Sequence, residues 1–417
     1  MTCLNGNSTF NMEYVCPLPW VGFSNDPNGT VRPCCISKDL ITDSNKKPYF
    51  IQKTSMKEIF HSEYMDNLRQ EMLEGKQPST CNTCWEDEKN GYKSKRLIYS
   101  DIHSEFIKEN MFESVPDHPV DYQLILTNSC NLKCRSCGPS HSTSWQKEAK
   151  YMDIEDAHEV GSIEYPLPHG QPGNKESVLL KNISAWAPKI TRLEVVGGEP
   201  FYSNAWSKTW RYLIDKGYSK KITLAMSTNC TVVDFELIDL LDKNFKTVGI
   251  GLSIDGIEDT FEYLRKNGKW DEAKSNILTY YDFFKNKSRG ETYIQYTHTT
   301  SWVNAIKLPE FHNWVKENTP EFKIWINIVH SPVHMNLQCL PKVYKDQIKN
   351  KWDAHEWGKY KGDIDSLVQF MYGKDYTDLE IKKQYKKYTI LDKYREENTA
   401  LYLDKYFPGI IKYFSDE

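Results

Sequence analysis

The 417-residue sequence contains no apolar run near the ~18 residues that a membrane-spanning helix needs, so no membrane is expected as a partner. It also lacks a surplus of either charge. Its 53 Lys and Arg stand against 57 Asp and Glu, a formal net charge of −4, which argues against a nucleic-acid partner. Residues 1–14 show neither a basic region nor an apolar stretch, so no secretory signal is expected and the setting reads as soluble and cytoplasmic. Repeats and low-complexity tracts are missing as well. Cysteine is scarce for a disulfide scaffold, at 11 residues, where such chains carry more than ~8–10%. In a reducing compartment, clustered cysteines more often hold metal than bridge each other. What remains is an ordinary globular composition, 39% hydrophobic and 26% charged, long enough for two or three domains at roughly 150 residues each.

The cysteines are unevenly spread. Cys3, Cys16, Cys34, Cys35, Cys81 and Cys84 fall in the first quarter, Cys130, Cys134 and Cys137 form a triplet, and Cys230 and Cys339 stand alone. Two metal sites in two regions are expected. Three parts follow along the chain: residues 1–118, 119–340 and 341–417. In the first, Ser55 and Glu58 have capping-box spacing, Met56, Phe60, Tyr64, Leu68 and Met72 recur every four residues, and Gly75 suits a helix stop. One continuous helix is expected there, separating Cys34 and Cys35 from Cys81 and Cys84.

In the second part, apolar runs at 122–127, 192–196, 221–227, 247–254, 292–297 and 323–329 alternate with helical patterns at 203–216, 234–242, 269–284 and 308–317. Nearly continuous, β-branched runs of this kind suit strands buried on both faces, and the alternation predicts an α/β fold with a parallel sheet, open or closed as a barrel. A Gly/Pro-rich stretch at 161–173 reads as an exposed insertion. The third part is helical, aromatic-rich and mixed in charge. Trp352, Trp357, Tyr360 and Phe370 are expected to pack it onto the α/β part.

The strongest signal is Asn128-Ser129-Cys130-Asn131-Leu132-Lys133-Cys134-Arg135-Ser136-Cys137, directly after the run ending at Thr127. Three thiolates in C-x3-C-x2-C spacing can hold three corners of an iron–sulfur cube, which normally takes four cysteines. The fourth iron then stays open, and an open metal position is where substrate chemistry takes place. A structural zinc site completed by a distant His or Cys, with His141 a candidate fourth ligand, is the competing reading.

The triplet resembles the signature of the radical SAM superfamily, whose cluster loop follows the first strand of a partial (β/α)6 barrel. Further motifs fall in order at strand ends: Gly197-Gly198-Glu199-Pro200, Ser227-Thr228-Asn229, Ser253-Ile254-Asp255-Gly256 and then Arg265. Strand C-terminal ends are the face on which barrels build active sites. The resemblance implies that Cys130, Cys134 and Cys137 hold a 4Fe–4S cluster. It implies that Gly197, Gly198, Glu199 and Pro200 meet the amino group of S-adenosylmethionine. It places Ser253 and Asp255 at the ribose and Arg265 at the methionine carboxylate, with Asn229 beside them. Glycines admit close backbone approach, and an arginine fork suits a carboxylate. Two positions depart from the family: Ser136 stands where a bulky residue usually precedes the last cysteine, and Cys230 stands where many relatives have glycine.

Cys16, twelve residues, Gly29, four residues and Cys34 are similar to the opening of the twitch/SPASM auxiliary-cluster domains of radical SAM peptide-modifying enzymes. Cys81 and Cys84 supply a second pair. The resemblance implies one auxiliary 4Fe–4S cluster held by Cys16, Cys34, Cys81 and Cys84, with spacing favouring Cys34 over Cys35; a zinc ribbon is the alternative. In relatives this domain usually follows the barrel, whereas here it precedes it. The expected architecture is therefore a twitch/SPASM-like domain at 1–118, a radical SAM partial barrel at 119–340 and a helical extension at 341–417. The implied activity is reductive cleavage of S-adenosylmethionine to a 5′-deoxyadenosyl radical, which takes hydrogen from a substrate, expected to be a peptide or protein. A flavodoxin or ferredoxin is the expected electron donor. The alternative is a zinc-binding structural or interaction protein. No acid or base is evident: His298, His330 and His334 are candidates, and Tyr296 and Trp325 either line the cavity or fill the core.

Overall fold

The computed structural model describes residues 12–110, 112–160, 183–286, 288 and 291–414. Cys3 and the 161–173 insertion lie outside the described residues. The strands are β1 (Gly22–Asn25), β2 (Val31–Arg32), β3 (Asp121–Leu124), β4 (Arg192–Val195), β5 (Thr223–Thr228), β6 (Thr247–Ser253), β7 (Thr292–Thr300) and β8 (Lys323–Ile328). They form one sheet in the order β2-β1-β3-β4-β5-β6-β7-β8. The registered pairs β1–β3, β3–β4, β4–β5 and β7–β8 are parallel, and only β1–β2 is antiparallel. From β3 to β8 the strands follow chain order without reversal. This is the winding of a barrel; a doubly wound sheet reverses at a switch point. The α/β class and all six expected strands are present.

Two strands were not expected. β1 and β2 come from the cysteine-rich first part, and β1 pairs with β3 through Gly22↔Asp121 and Ser24↔Gln123. Gly22 is required by this approach, because a Cβ there would lie 2.0 Å from the Asp121 carbonyl oxygen. The chain divides into two units, Met1–Asn128 with Leu167–Met226 and Leu240–Gly249, and Ser129–Pro166 with Ser227–Asp239 and Ile250–Glu417.

In the first unit, Phe23, Tyr122, Leu124, Leu193, Val195 and Leu224 are buried. The opposite strand face carries Asp121, Gln123, Arg192 and Glu194, since alternate residues point to opposite sides. That face is buried by polar partners from the helix Lys95–Ile102 and its cap, a correction to the apolar burial expected on both faces. His103 Nε2 lies 2.7 Å from Asp121 Oδ2, and the Tyr99 hydroxyl donates to Glu194. The single helix expected after Ser55 is two, Met56–Phe60 and Glu63–Leu73. Ser55 caps the first and Ser62 the second, each hydroxyl accepting a backbone N–H, from Glu58 at 3.2 Å and Met65 at 3.4 Å. A second cap inside the periodic run restarts the helix, because a serine at that position offers the backbone an alternative to the i→i−4 ladder.

In the second unit, the helices Lys342–Asp353, Lys361–Tyr372 and Asp378–Arg395 pack by aromatic residues. Trp352 Nε1 donates to the Ala305 carbonyl at 2.9 Å, and the Tyr360 hydroxyl accepts from Ile324 N at 2.9 Å. Trp357 and Phe370 are also buried. Among the described residues, no helix is long and apolar enough to cross a membrane.

Candidate metal centres

In the second unit, the loop at 130–137 wraps tightly on itself. Cys137 N donates to the Cys134 carbonyl at 3.1 Å, and Trp145 Nε1 donates to that same carbonyl at 2.8 Å. Ser144 Oγ holds the Cys130 carbonyl at 2.8 Å. Lys133 N and Arg135 N donate to the carbonyls of Lys266 and Leu264 at 3.0 and 2.8 Å. The loop is therefore stitched to the chain around Arg265. The three thiols sit within electrostatic range of one another. Burial, with Cys137 and Cys130 adding to it, pushes Cys134 up to about 12, and burial with Cys130 pushes Cys137 up to about 11. Thiolates crowded in this way need a cation's charge, which iron supplies.

Two of the sulfurs accept hydrogen bonds from elsewhere in the fold. Cys130 Sγ accepts from Leu132 N at 3.5 Å and from Asn229 Nδ2 at 3.9 Å. Asn229 also donates to Asn131 Oδ1 at 3.0 Å. Cys134 Sγ accepts from Arg265 Nη1 at 3.9 Å. Hydrogen bonds to ligating sulfurs orient them and set cluster potential, so the donor set fits a cluster.

Arg265 Nη2 also pairs with Asp255 Oδ2 at 2.7 Å, and Asp255 Oδ1 accepts from Thr299 N at 3.0 Å. Burial opposes the guanidinium charge, but the Asp255 carboxylate and Cys134 sulfur hold it protonated. The structure thus brings together Cys130, Cys134, Cys137, Asn229, Asp255 and Arg265. Ser253 ends β6. Cys230 is fully buried at φ +63°, in the left-handed region that favours glycine, where the family often has that residue. His141 is exposed, its Nδ1 2.9 Å from Ser140 Oγ.

In the first unit, Gly197 and Gly198 follow β4 with φ of +78° and +62°. A side chain at Gly197 would meet Ile125 Cγ2 at 2.7 Å. Glu199 is buried, and its Oε1 accepts from Phe201 N at 3.3 Å; Pro200 is buried behind it.

The same unit holds the second cysteine group. Cys16, Cys34, Cys81 and Cys84 line one cavity together with Lys95 and Arg96. Burial and then the neighbouring Cys35 push Cys34 up to about 12, while burial and the other thiols raise Cys16 and Cys81. Cys35 is exposed. Four thiols from three distant segments around one space suit a cluster with complete cysteine ligation. Among the described residues, no three His, Cys, Asp or Glu side chains are drawn together as ligands of a single ion; the thiols surround a space instead.

The remaining candidates separate clearly. His298 is buried, with Nδ1 3.0 Å from Thr300 Oγ1, and burial pushes it down to about 4. His334 is buried and pushed down by burial to about 3; His330 stands edge-on to Phe370. Tyr296 fills the core against Phe311 and Phe322. Trp325 does neither of the things expected of it: it is 38% exposed and donates to Asn327 Oδ1, because it falls on the outward face of β8. Sequence reasoning did not find Lys95 and Arg96 at the second cysteine group, and no local pattern marks them.

The three thiols of the strand-end loop and the four around a separate cavity are thus two candidate metal centres. Residues 124–300 match the radical SAM superfamily and residues 16–85 match SPASM, an iron–sulfur cluster-binding domain. The first match spans less than half of the chain, so it shows a radical SAM domain at residues 124–300, and the second shows a SPASM domain at residues 16–85. A radical SAM domain implies a 4Fe–4S cluster with S-adenosylmethionine, and a SPASM domain implies auxiliary iron–sulfur. No curated protein sequence matches it.

Solved structures similar to it include native anSMEcpe with bound AdoMet, at 18% identity and TM-score 0.39, covering 56% of this chain and 60% of that one. Streptococcus suis SuiB bound to precursor peptide SuiA is similar at 11% identity and TM-score 0.36, covering 86% and 67%. TsrM from Kitasatospora setae, with cobalamin and a 4Fe–4S cluster, is similar at 10% identity and TM-score 0.34, covering 51% and 37%. The chain spans about 60% of the length of the anSMEcpe structure.

Proposed function

We propose that this enzyme binds S-adenosylmethionine at the cluster of Cys130, Cys134 and Cys137 and uses it to abstract hydrogen from a peptide or protein. The observation that carries this reading is the convergence of the three thiols with Asn229 and Arg265 hydrogen-bonded to two of their sulfurs. Cys130, Cys134 and Cys137 would hold the cluster, which would supply the electron for reductive cleavage of S-adenosylmethionine and so the radical chemistry that removes hydrogen from the substrate. The chain's own residues bind and orient. Asp255 aims the Arg265 fork, which is suited to a carboxylate, and Asp255 with Ser253 offers oxygens for ribose hydroxyls. Gly197, Gly198, Glu199 and Pro200 provide a close backbone turn and a carboxylate for an amino group. Cys16, Cys34, Cys81 and Cys84 would hold an auxiliary cluster, which would supply an electron acceptor for the substrate or stabilise its own domain.

Residues 1–118, 119–340 and 341–417 are the corresponding domains, and the resemblance to SPASM enzymes favours the peptide substrate. A flavodoxin or ferredoxin in the cytoplasm would supply the electron. Anaerobically purified protein given dithionite and S-adenosylmethionine should release 5′-deoxyadenosine, and Cys134→Ala should abolish the release. Colourless protein with stoichiometric zinc and no release overturns the reading. Mass spectrometry of candidate peptides after turnover tests the substrate class.

A further inference from the structure

The helix Asp378–Arg395 and the turn after it lie beyond the matched residues, yet they hold the cysteine loop by buried charge. Arg135, between Cys134 and Ser136, has a fully buried side chain. Its Nη2 reaches Asp392 Oδ1 at 3.2 Å and Glu397 Oε2, and its guanidinium lies 4.1 Å from the centre of the Tyr263 ring. Glu397 also takes Lys266 Nζ at 2.6 Å. Glu397 is positioned by Glu396, which ends the helix in the left-handed conformation at φ +53°.

A second clamp lies on the other side of the loop. Arg395, fully buried, meets Glu148 Oε2 through Nη2 at 2.8 Å, and Glu148 Oε1 receives Lys133 Nζ at 2.6 Å. The Arg395 guanidinium lies 4.7 Å from the Trp145 ring, whose Nε1 holds the Cys134 carbonyl. Trp145, Met152 and Leu391 form an apolar cluster against which Cys137 packs. Both loop cations, Lys133 and Arg135, therefore flank Cys134 and are tied to this helix or to its partner Glu148.

We propose that this C-terminal helix is a latch for the cluster of Cys130, Cys134 and Cys137, with Arg135, Asp392, Glu397, Glu148 and Arg395 as positioning residues that keep the three sulfurs gathered. Buried ion pairs are sensitive to loss of one partner, because the other is left charged and uncompensated. Groups behind the ligands of a metal centre typically alter its affinity by 10–100-fold. The latch rests on the reading that these three cysteines bind a cluster.

The auxiliary centre gives an internal control. In anaerobically prepared holoprotein, an iron(II) chelator should strip the triplet's iron about tenfold or more faster in Glu397→Gln than in wild type. The electron paramagnetic resonance signal of the reduced triplet cluster should broaden. Iron at Cys16, Cys34, Cys81 and Cys84 should leave at the wild-type rate. Arg135→Lys, which keeps the charge but loses the fork, should fall between the two, and should serve if Glu397→Gln fails to fold. Lys393→Ala, which removes the C-terminal helix's exposed pairs to Asp153 and Asp156, should strip like wild type. Equal acceleration at both centres, or unchanged stripping of a loaded triplet, overturns the latch alone. A wild-type triplet that binds no iron overturns the underlying reading and the latch with it.

Discussion

The two cysteine groups are assembled by opposite strategies. The triplet comes from one loop of eight residues, so local spacing sets which sulfurs meet, and long-range contacts only hold the loop still. The ring of four draws Cys16, Cys34 and the Cys81–Cys84 pair from across the first unit, so long-range contacts must create the site itself. A buried arginine does this work. Arg96 binds Glu88 through Nε at 3.0 Å and Nη2 at 2.5 Å, and its Nη1 donates to the carbonyls of Glu13 and Val15 at 2.9 and 3.2 Å. Glu88 shares the helix Asn82–Lys89 with Cys84, and Val15 precedes Cys16, so one guanidinium joins two ligand segments. In the triplet loop Arg135 has the same chemistry but a different task. The lesson is that closely spaced ligands need an anchor, whereas scattered ligands need a bridge.

Breaking the bridge should therefore cost more than loosening the anchor. Arg96→Met is expected to lose the auxiliary centre, about four irons per chain, and to destabilise the first unit by about 1–3 kcal/mol, since the half-buried Glu88 loses its charged partner. Iron analysis and thermal melting check both; full iron content would show that Cys16 and Cys84 meet without the bridge.

Acid sharpens the same contrast on the anchor side. Burial opposes the charge on Glu148, but Arg395 and Lys133 together hold its carboxyl below the usual range. A carboxylate lowered in the folded state contributes stability that is complete above its ordinary value and fades as pH falls through its folded one. Cluster retention and melting temperature should drop in that acidic window, and Glu148→Gln should lower both at neutral pH while flattening their acid dependence. The smallest effect belongs to a site outside both clamps. Ser62→Ala removes a helix cap and should cost about 1 kcal/mol by denaturant unfolding, with iron content unchanged.

Much of this contrast was visible in the sequence, and what was hidden has physical causes. The six main strands announce themselves by continuous β-branched runs, and the triplet, Gly197-Gly198-Glu199-Pro200 and Arg265 by fixed spacing. β1 and β2 are four and two residues long, read Gly-Phe-Ser-Asn and Val-Arg, and carry no alternation from which a strand could be read. The helix break at Ser62 hides within an unbroken four-residue period. The link from Arg135 to Asp392 spans 257 positions, and no local pattern encodes it. Conversely, Cys230 could be aligned with a family glycine from sequence, but only its backbone angle gives the reason that position favours one.

The most direct measurement is the electron paramagnetic resonance spectrum of anaerobically reduced protein before and after addition of S-adenosylmethionine. Two iron–sulfur signals are expected, only one of which changes on addition, and that one should vanish in Cys134→Ala while the other persists. A single signal indifferent to S-adenosylmethionine, or a responsive signal that survives Cys134→Ala, would contradict the assignment.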